Sequence, residues 1–218
     1  MELGRLRAIA VQKDHPSRRE LNASEQGRET ADEHQPETRF AIGALRARRR
    51  PQQRNEAVVI SCLHVTVQKD GRGLPRGQGG FDHRFEYARW DGSAWRVHEI
   101  AYAGRRLYAG EDDYTGLAAL DPKNPNVVYI STDADPVTGA PLVSRADGQR
   151  HRELYRGTTG DFGATWQWEP ITANSDADNL RPIVPKWTDP RTALVWMRGT
   201  YKNNHGEWTT KVVASILP

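Results

Sequence analysis

Beyond residue 57 the chain is a succession of short apolar and β-branched runs broken by Gly, Pro, Asn and Asp. Phe85 to Trp90 and Trp95 to Ile100 flank Asp91-Gly92-Ser93-Ala94, a spacing that predicts a β-hairpin. Asn126 to Thr132 is a β-branched run launched by the breakers Asp121-Pro122 and Asn124-Pro125. His151 to Arg156 with Trp166 to Thr172, and Ala193 to Arg198 with Thr209 to Ile216, read as two more strand pairs, and Ile60 to Val67 as a further strand. No stretch of helical length carries an unbroken 3.6-residue apolar stripe. The pattern predicts an all-β body of short strands.

Residues 1–56 follow a different pattern. They hold 12 Lys/Arg and 9 Asp/Glu, whereas residues 57–218 hold 19 of each, so the whole basic surplus of the 218-residue chain belongs to the head. Only Phe40 precedes Phe81 among the aromatics, and all seven Trp and seven Tyr lie at or beyond Tyr87. A segment this charged and this poor in aromatics buries too little apolar surface to offset its ordering entropy. The sequence therefore predicts a disordered head that packs against nothing, joined to a folded body at 57–218.

Charge and composition narrow the function classes. The run Arg46-Ala47-Arg48-Arg49-Arg50 has the composition of a nucleic-acid patch, but the neutral body does not continue it, and a solvated charge run is the reading adopted. No nucleic-acid partner is expected. No run of about 18 apolar residues is present, so no helical membrane span is expected. Met1 to Asp14 lacks the apolar region of a secretory signal. One cysteine, Cys62, excludes an internal disulfide and a multi-cysteine zinc module.

The most informative stretch is Thr159-Gly160-Asp161-Phe162-Gly163-Ala164-Thr165-Trp166, which fits the Asp-box pattern [ST]-x-D-x-G-x-T-W at every specified position. Asp161 can accept backbone N–H groups of its own turn. Gly163 supplies a positive φ, and Trp166 an apolar face to pack beneath the turn. This turn is expected to join the third and fourth strands of one blade. Asp91 to Trp95 and Asn204 to Trp208 are imperfect echoes, read either as repeats or as ordinary hairpin turns.

The chain from Phe81 to Pro218 resembles the BNR/Asp-box β-propeller family, in its ulvan-lyase-like polysaccharide lyase branch. The resemblance rests on FEYARWDGSAWRVHEIAYAG (85–104), LYAGEDDYTGLAALDP (107–122), VVYISTDADPVTGAPL (127–142), YRGTTGDFGATWQWEPIT (155–172), DNLRPIVP (178–185) and LVWMRGTY (194–201). It implies a partial β-propeller of about three to four antiparallel blades, since a blade takes roughly 40–50 residues. It also implies export for intact members, a uronic-acid glycan as partner, and cleavage by β-elimination. Such a lyase neutralises the sugar carboxylate, removes the C5 proton and protonates the leaving oxygen. In the resembled family these groups are looked for largely in earlier blades, and here no Tyr precedes Tyr87. The chain is therefore expected to be inactive by itself and to self-associate through open blade edges. A non-catalytic carbohydrate-binding propeller and a sialidase-type hydrolase are the alternatives.

Two residues of the body are catalytic candidates. Tyr114 lies in a polar, Gly-flanked loop, where packing on a neighbouring blade is the competing reading. Arg181 has the geometry to bind a carboxylate bidentately, against a salt bridge to Asp176 or Asp178. For a metal, Cys62, His64, His83 and Asp82 form a ligand set that zinc accepts, and the resemblance implies a structural zinc held by His and Cys. A buried thiol with unrelated histidines is the competing reading.

Overall fold

The computed structural model describes residues 7–8, 61–70, 78–108, 117–201 and 209–218. They form three antiparallel sheets, with no α-helix among the described residues. The first sheet orders β2 (Ser61–Gln68), β3 (His83–Trp90) and β4 (Trp95–Gly104) in sequence. The second is a four-stranded meander of β5 (Ala118–Leu120), β6 (Val127–Thr132), β7 (Glu153–Thr158) and β8 (Gln167–Pro170). The third runs β9 (Asn179–Ile183), β10 (Thr192–Arg198), β11 (Lys211–Leu217), with β1 (Arg7–Ala8) on its outer edge.

The three strand pairings expected from the sequence form: β3 with β4, β7 with β8, and β10 with β11. Three strands escape the sequence pattern. β5 is only three residues long, and β9 carries a proline and a register shift opposite Val195 to Met197. β1 pairs Arg7 with Ala214 and Ala8 with Val213, so the head does touch the body at that point. The rest of 1–56 lies outside the described residues.

β6 shows why the sheets stack as they do. All six of its residues are buried, the signature of a strand covered on both faces. Alternation sends Val128 and Ile130 to one side, where they meet Phe85, Tyr87, Ala101 and Ala103 of the first sheet. Val127 and Tyr129 go to the other side and meet Leu194, Trp196 and Val213 of the third. β3 contributes by strict alternation, burying His83, Phe85, Tyr87 and Arg89 while Arg84, Glu86 and Trp90 stay half-exposed. The meander is thus the middle layer, and one edge strand of each sheet gathers together, β2 against β5 and β5 against β9.

The Asp-box joins β7 to β8, the third and fourth strands of the meander. Asp161 Oδ1 accepts the Thr159 hydroxyl at 2.8 Å and the Thr165 N–H at 2.9 Å, and Oδ2 accepts the Thr165 hydroxyl at 2.6 Å. These donors, led by the Thr165 hydroxyl and amide, pull the carboxyl down to about 2. The Trp166 indole N–H donates to Gly163 O at 2.9 Å, and its ring meets Tyr87 edge-on at 5.1 Å. Tyr87 in turn donates its hydroxyl to Pro125 O at 2.8 Å, which pins the first sheet to the second. Asp91 organises its hairpin similarly, with Oδ1 accepting the Ser93 and Ala94 N–H groups at 2.8 Å. Asn204 to Trp208 lie outside the described residues.

Gly163 has φ +96°, and a Cβ there would sit 2.5 Å from the Tyr87 ring. Gly163→Ala should therefore destabilise the fold by about 1–3 kcal/mol, the cost typical of a residue forced into a sparsely populated backbone region. Urea denaturation followed by Trp fluorescence measures it. A variant as stable as the parent would mean that the turn does not bear on the Tyr87 contact.

Candidate functional site

Five strand ends meet at one end of the sheets, opposite the Asp161 and Asp91 turns. There a cleft of about 400 Å³ is lined by Gly79 to Phe81 before β3, Arg105 to Tyr108 after β4, and Asp133 after β6. Arg150 and Arg152 before β7, and Asp178 before β9, complete it. Four guanidinium groups face two carboxylates, so the lining carries a surplus of positive charge.

Asp133 pairs with two of the four arginines and feels the charge of a third, Arg152. The Asp133 side chain is 4% exposed and accepts the Arg105 backbone N–H at 2.9 Å and the Arg105 Nε–H at 2.7 Å. Arg150 donates its Nε–H to Asp133 O at 2.7 Å and its Nη2–H to Oδ1 at 3.2 Å. Arg152 is buried and donates to the carbonyls of Ala103 (3.2 Å), Ser131 (3.3 Å) and Arg105, tying β4 to β6. Gly104 makes the close approach possible. It has φ +77°, and a Cβ there would stand 1.8 Å from Asp133 Oδ1. Arg106, held by its Nη2–H to Gln78 O at 2.9 Å, closes the far wall.

The electrostatics follow from this crowding. Burial pushes the Asp133 carboxyl up, but the charge of Arg152 and the hydrogen bonds from Arg105 outweigh it and hold the group below its ordinary value. Burial also lowers Arg150, with repulsion from Arg105 and Arg152 adding to it and Asp133 opposing. Arg105 keeps its side chain 45% exposed and so presents charge to solvent. An array of this kind can hold an anion, because planar guanidinium forks match carboxylate oxygens.

Sequence reasoning nominated other residues. Arg181 lies beside the cleft rather than in its lining, at φ +52° in the irregular β9. Its Nη2–H donates to the Tyr201 hydroxyl at 2.8 Å, and its guanidinium sits 4.8 Å over the Tyr201 ring. Tyr201 lies 6.3 Å from the ring of cleft-lining Tyr108, so Arg181 reaches the cleft wall through two phenols. The carboxylates weighed as its partners are engaged elsewhere, Asp176 with Arg198 and Asp178 with the Arg152 N–H at 2.9 Å. Tyr114 lies outside the described residues.

The suggested zinc ligands sit in the first sheet. Register sets His64 opposite Tyr87 and Gln68 opposite His83, which separates the two histidines by four positions, roughly 13 Å of strand. His83 turns into the core beside Phe85, and the Asp82 carboxylate accepts the Arg84 Nη2–H at 3.0 Å. Zinc at 2.0–2.3 Å from four ligands requires their tips to converge, and the side chains of Cys62 and His64 lie outside the described residues. Among the described residues no group of three His, Cys, Asp or Glu is placed to hold a metal ion.

The cleft arginines carry only a faint signal in the sequence. Arg105-Arg106 follows the strand region that begins at Trp95, Arg150 and Arg152 bracket the start of the run His151 to Arg156, and Asp133 follows the run Asn126 to Thr132. Adjacent strands of antiparallel sheets bring such ends together. In comparisons with protein-family models, curated proteins and solved structures, the chain matches none.

Asp133→Asn should cost about 3 kcal/mol, the low end for breaking a buried pair because Arg105 is partly solvated. The depressed carboxyl gives its full stabilisation above its unfolded value near pH 4 and loses it as pH falls through the lower folded value. The stability gap between wild type and Asp133→Asn should therefore narrow on acidification below about pH 4. Denaturant titrations at pH 3 and pH 7 test this, and a gap that widens at pH 3 would contradict it.

Proposed function

We propose that the chain is part of a carbohydrate-active β-propeller whose arginine-lined cleft binds an acidic polysaccharide of the uronic-acid class. The observation that carries this reading is the cleft itself, where Arg105, Arg106, Arg150 and Arg152 outnumber Asp133 and Asp178 around a volume suited to a sugar unit or two. Tyr108 adds an aromatic surface of the kind on which a pyranose ring packs. The propeller reading is supported by three antiparallel sheets whose edge strands gather at β2, β5 and β9, and by the Asp-box turn between the third and fourth strands of the meander. The resemblance to ulvan-lyase-like proteins supports the same substrate class.

Binding without turnover is the form of this function we favour. β-Elimination needs three services at the sugar. The guanidinium groups supply the first, neutralisation of the carboxylate. Proton removal and leaving-group protonation need a group poised near the operating pH. Among the described residues lining the cleft there is no histidine, and Tyr108 is the one phenol.

Isothermal titration with galacturonate oligomers tests the reading. Binding should weaken as salt rises, because the attraction is electrostatic. It should be absent with neutral oligomers of equal length. Arg106→Ala should reduce affinity about ten-fold, the worth of one charge-assisted hydrogen bond, and it leaves the Asp133 pairs with Arg105 and Arg150 in place. Incubation with ulvan should produce no ultraviolet-absorbing unsaturated ends. Equal affinity for neutral and acidic oligomers would end the acidic-glycan reading, and sustained product formation would restore the enzyme.

A further inference from the structure

We infer that His151 sets the charge of the cleft, so that anion affinity is high when its imidazole is protonated and falls when it is neutral. The inference rests on the cleft being an anion site and concerns how that site is regulated.

The geometry is that of one imidazole between two carboxylates. His151 Nε2 lies 2.7 Å from Asp147 Oδ2, and Nδ1 lies 3.6 Å from Asp178 Oδ1. A neutral imidazole offers one N–H and one lone pair, so it can satisfy only one of these carboxylates and turns its lone pair on the other. The imidazolium has two donors and suits both. Asp178 is the link to the cleft, because it lines the cavity and its Oδ1 also accepts the Arg152 N–H.

The surrounding charges favour this arrangement. Arg150 and Arg152 flank His151 in the chain but turn their guanidinium groups to Asp133 and to backbone carbonyls. Across the loop, Asp176 lies near Asp147 and is paired with Arg198. Burial disfavours the charged imidazole, yet Asp147 and Asp178 together raise His151 above its ordinary value. The switch thus falls above about pH 6.5, where a free histidine would already be neutral. Below it, Asp178 is neutralised and the guanidinium surplus acts on an incoming anion. Above it, a bare Asp178 carboxylate faces that anion across the cleft.

The experiment is the affinity of hexagalacturonate, whose carboxylates stay ionised throughout, between pH 5.5 and 9 at constant ionic strength. Wild type should lose about three- to ten-fold in affinity across the range, the effect of one charge acting through partly solvated protein. His151→Gln, which keeps an N–H donor group and a carbonyl acceptor but has no charge at any pH, should bind with an almost flat profile. NMR titration of the imidazole gives the second reading, and its midpoint should coincide with the affinity change. A flat wild-type profile, or a change that persists in His151→Gln, would overturn the inference while leaving the acidic-glycan reading in place. No binding of hexagalacturonate at any pH would overturn both.

Discussion

One buried carboxylate holds the working end of this molecule together. Asp133 stands where β6 ends, and it collects Arg105 from the end of β4 and Arg150 from the approach to β7. Arg152 then ties the same strands through their carbonyls. Three guanidinium groups packed side by side repel one another, and without an anion among them the strand ends would separate. An uncompensated buried charge costs several kcal/mol, so the arrangement is stable only as a set. The constraint extends to the backbone, because the residue before Arg105 must lack a Cβ for the carboxylate to approach. A cleft whose walls are built from paired arginines still presents positive charge, since the three around Asp133 and a fourth at Arg106 exceed what two carboxylates neutralise.

Much of the fold was legible in the chain because its signals are local. Alternation in Phe85 to Trp90, the breakers before Asn126 and the Asp-box at 159–166 each report a strand or a turn within a few residues. The full Asp-box match located the third-to-fourth strand connection correctly, since its hydrogen bonds are all internal to the turn. β5 and β9 were missed for the converse reason. Ala118 to Leu120 is too short to show a period, and Asn179 to Ile183 is held by neighbours, with Asn179 accepting the Trp196 indole N–H at 2.9 Å. What defines those strands is contact, which a sequence pattern does not display.

The candidate site was less legible still. Tyr114 stands out by its polar, Gly-flanked loop and Arg181 by its place between Leu180 and Pro182, whereas the cleft arginines look like solvated charges when read one at a time. Their function is collective: Arg105 and Arg150 are 45 residues apart in the chain and share one carboxylate. A buried Asp can organise such a group only after the strands have paired, so its signal lies in tertiary structure. The ligand set around Cys62 shows how strand register bears on residues that are close in sequence. Cys, His and Asp close in sequence suggest a site, but strand register decides where each residue stands, and it sets His64 and His83 well apart.

The burial of β6 on both faces has a consequence for how the molecule comes apart. A sheet with one solvated face can lose a neighbour and keep its own ladder. β6 has no solvated face, so removing either the first or the third sheet uncovers Val128 and Ile130 or Val127 and Tyr129 in the middle of the remaining pair. Neither outer sheet can open without raising the free energy of the meander. The three sheets should therefore open as one cooperative unit, and among the described strands the amides of β6 should be the last to exchange with solvent.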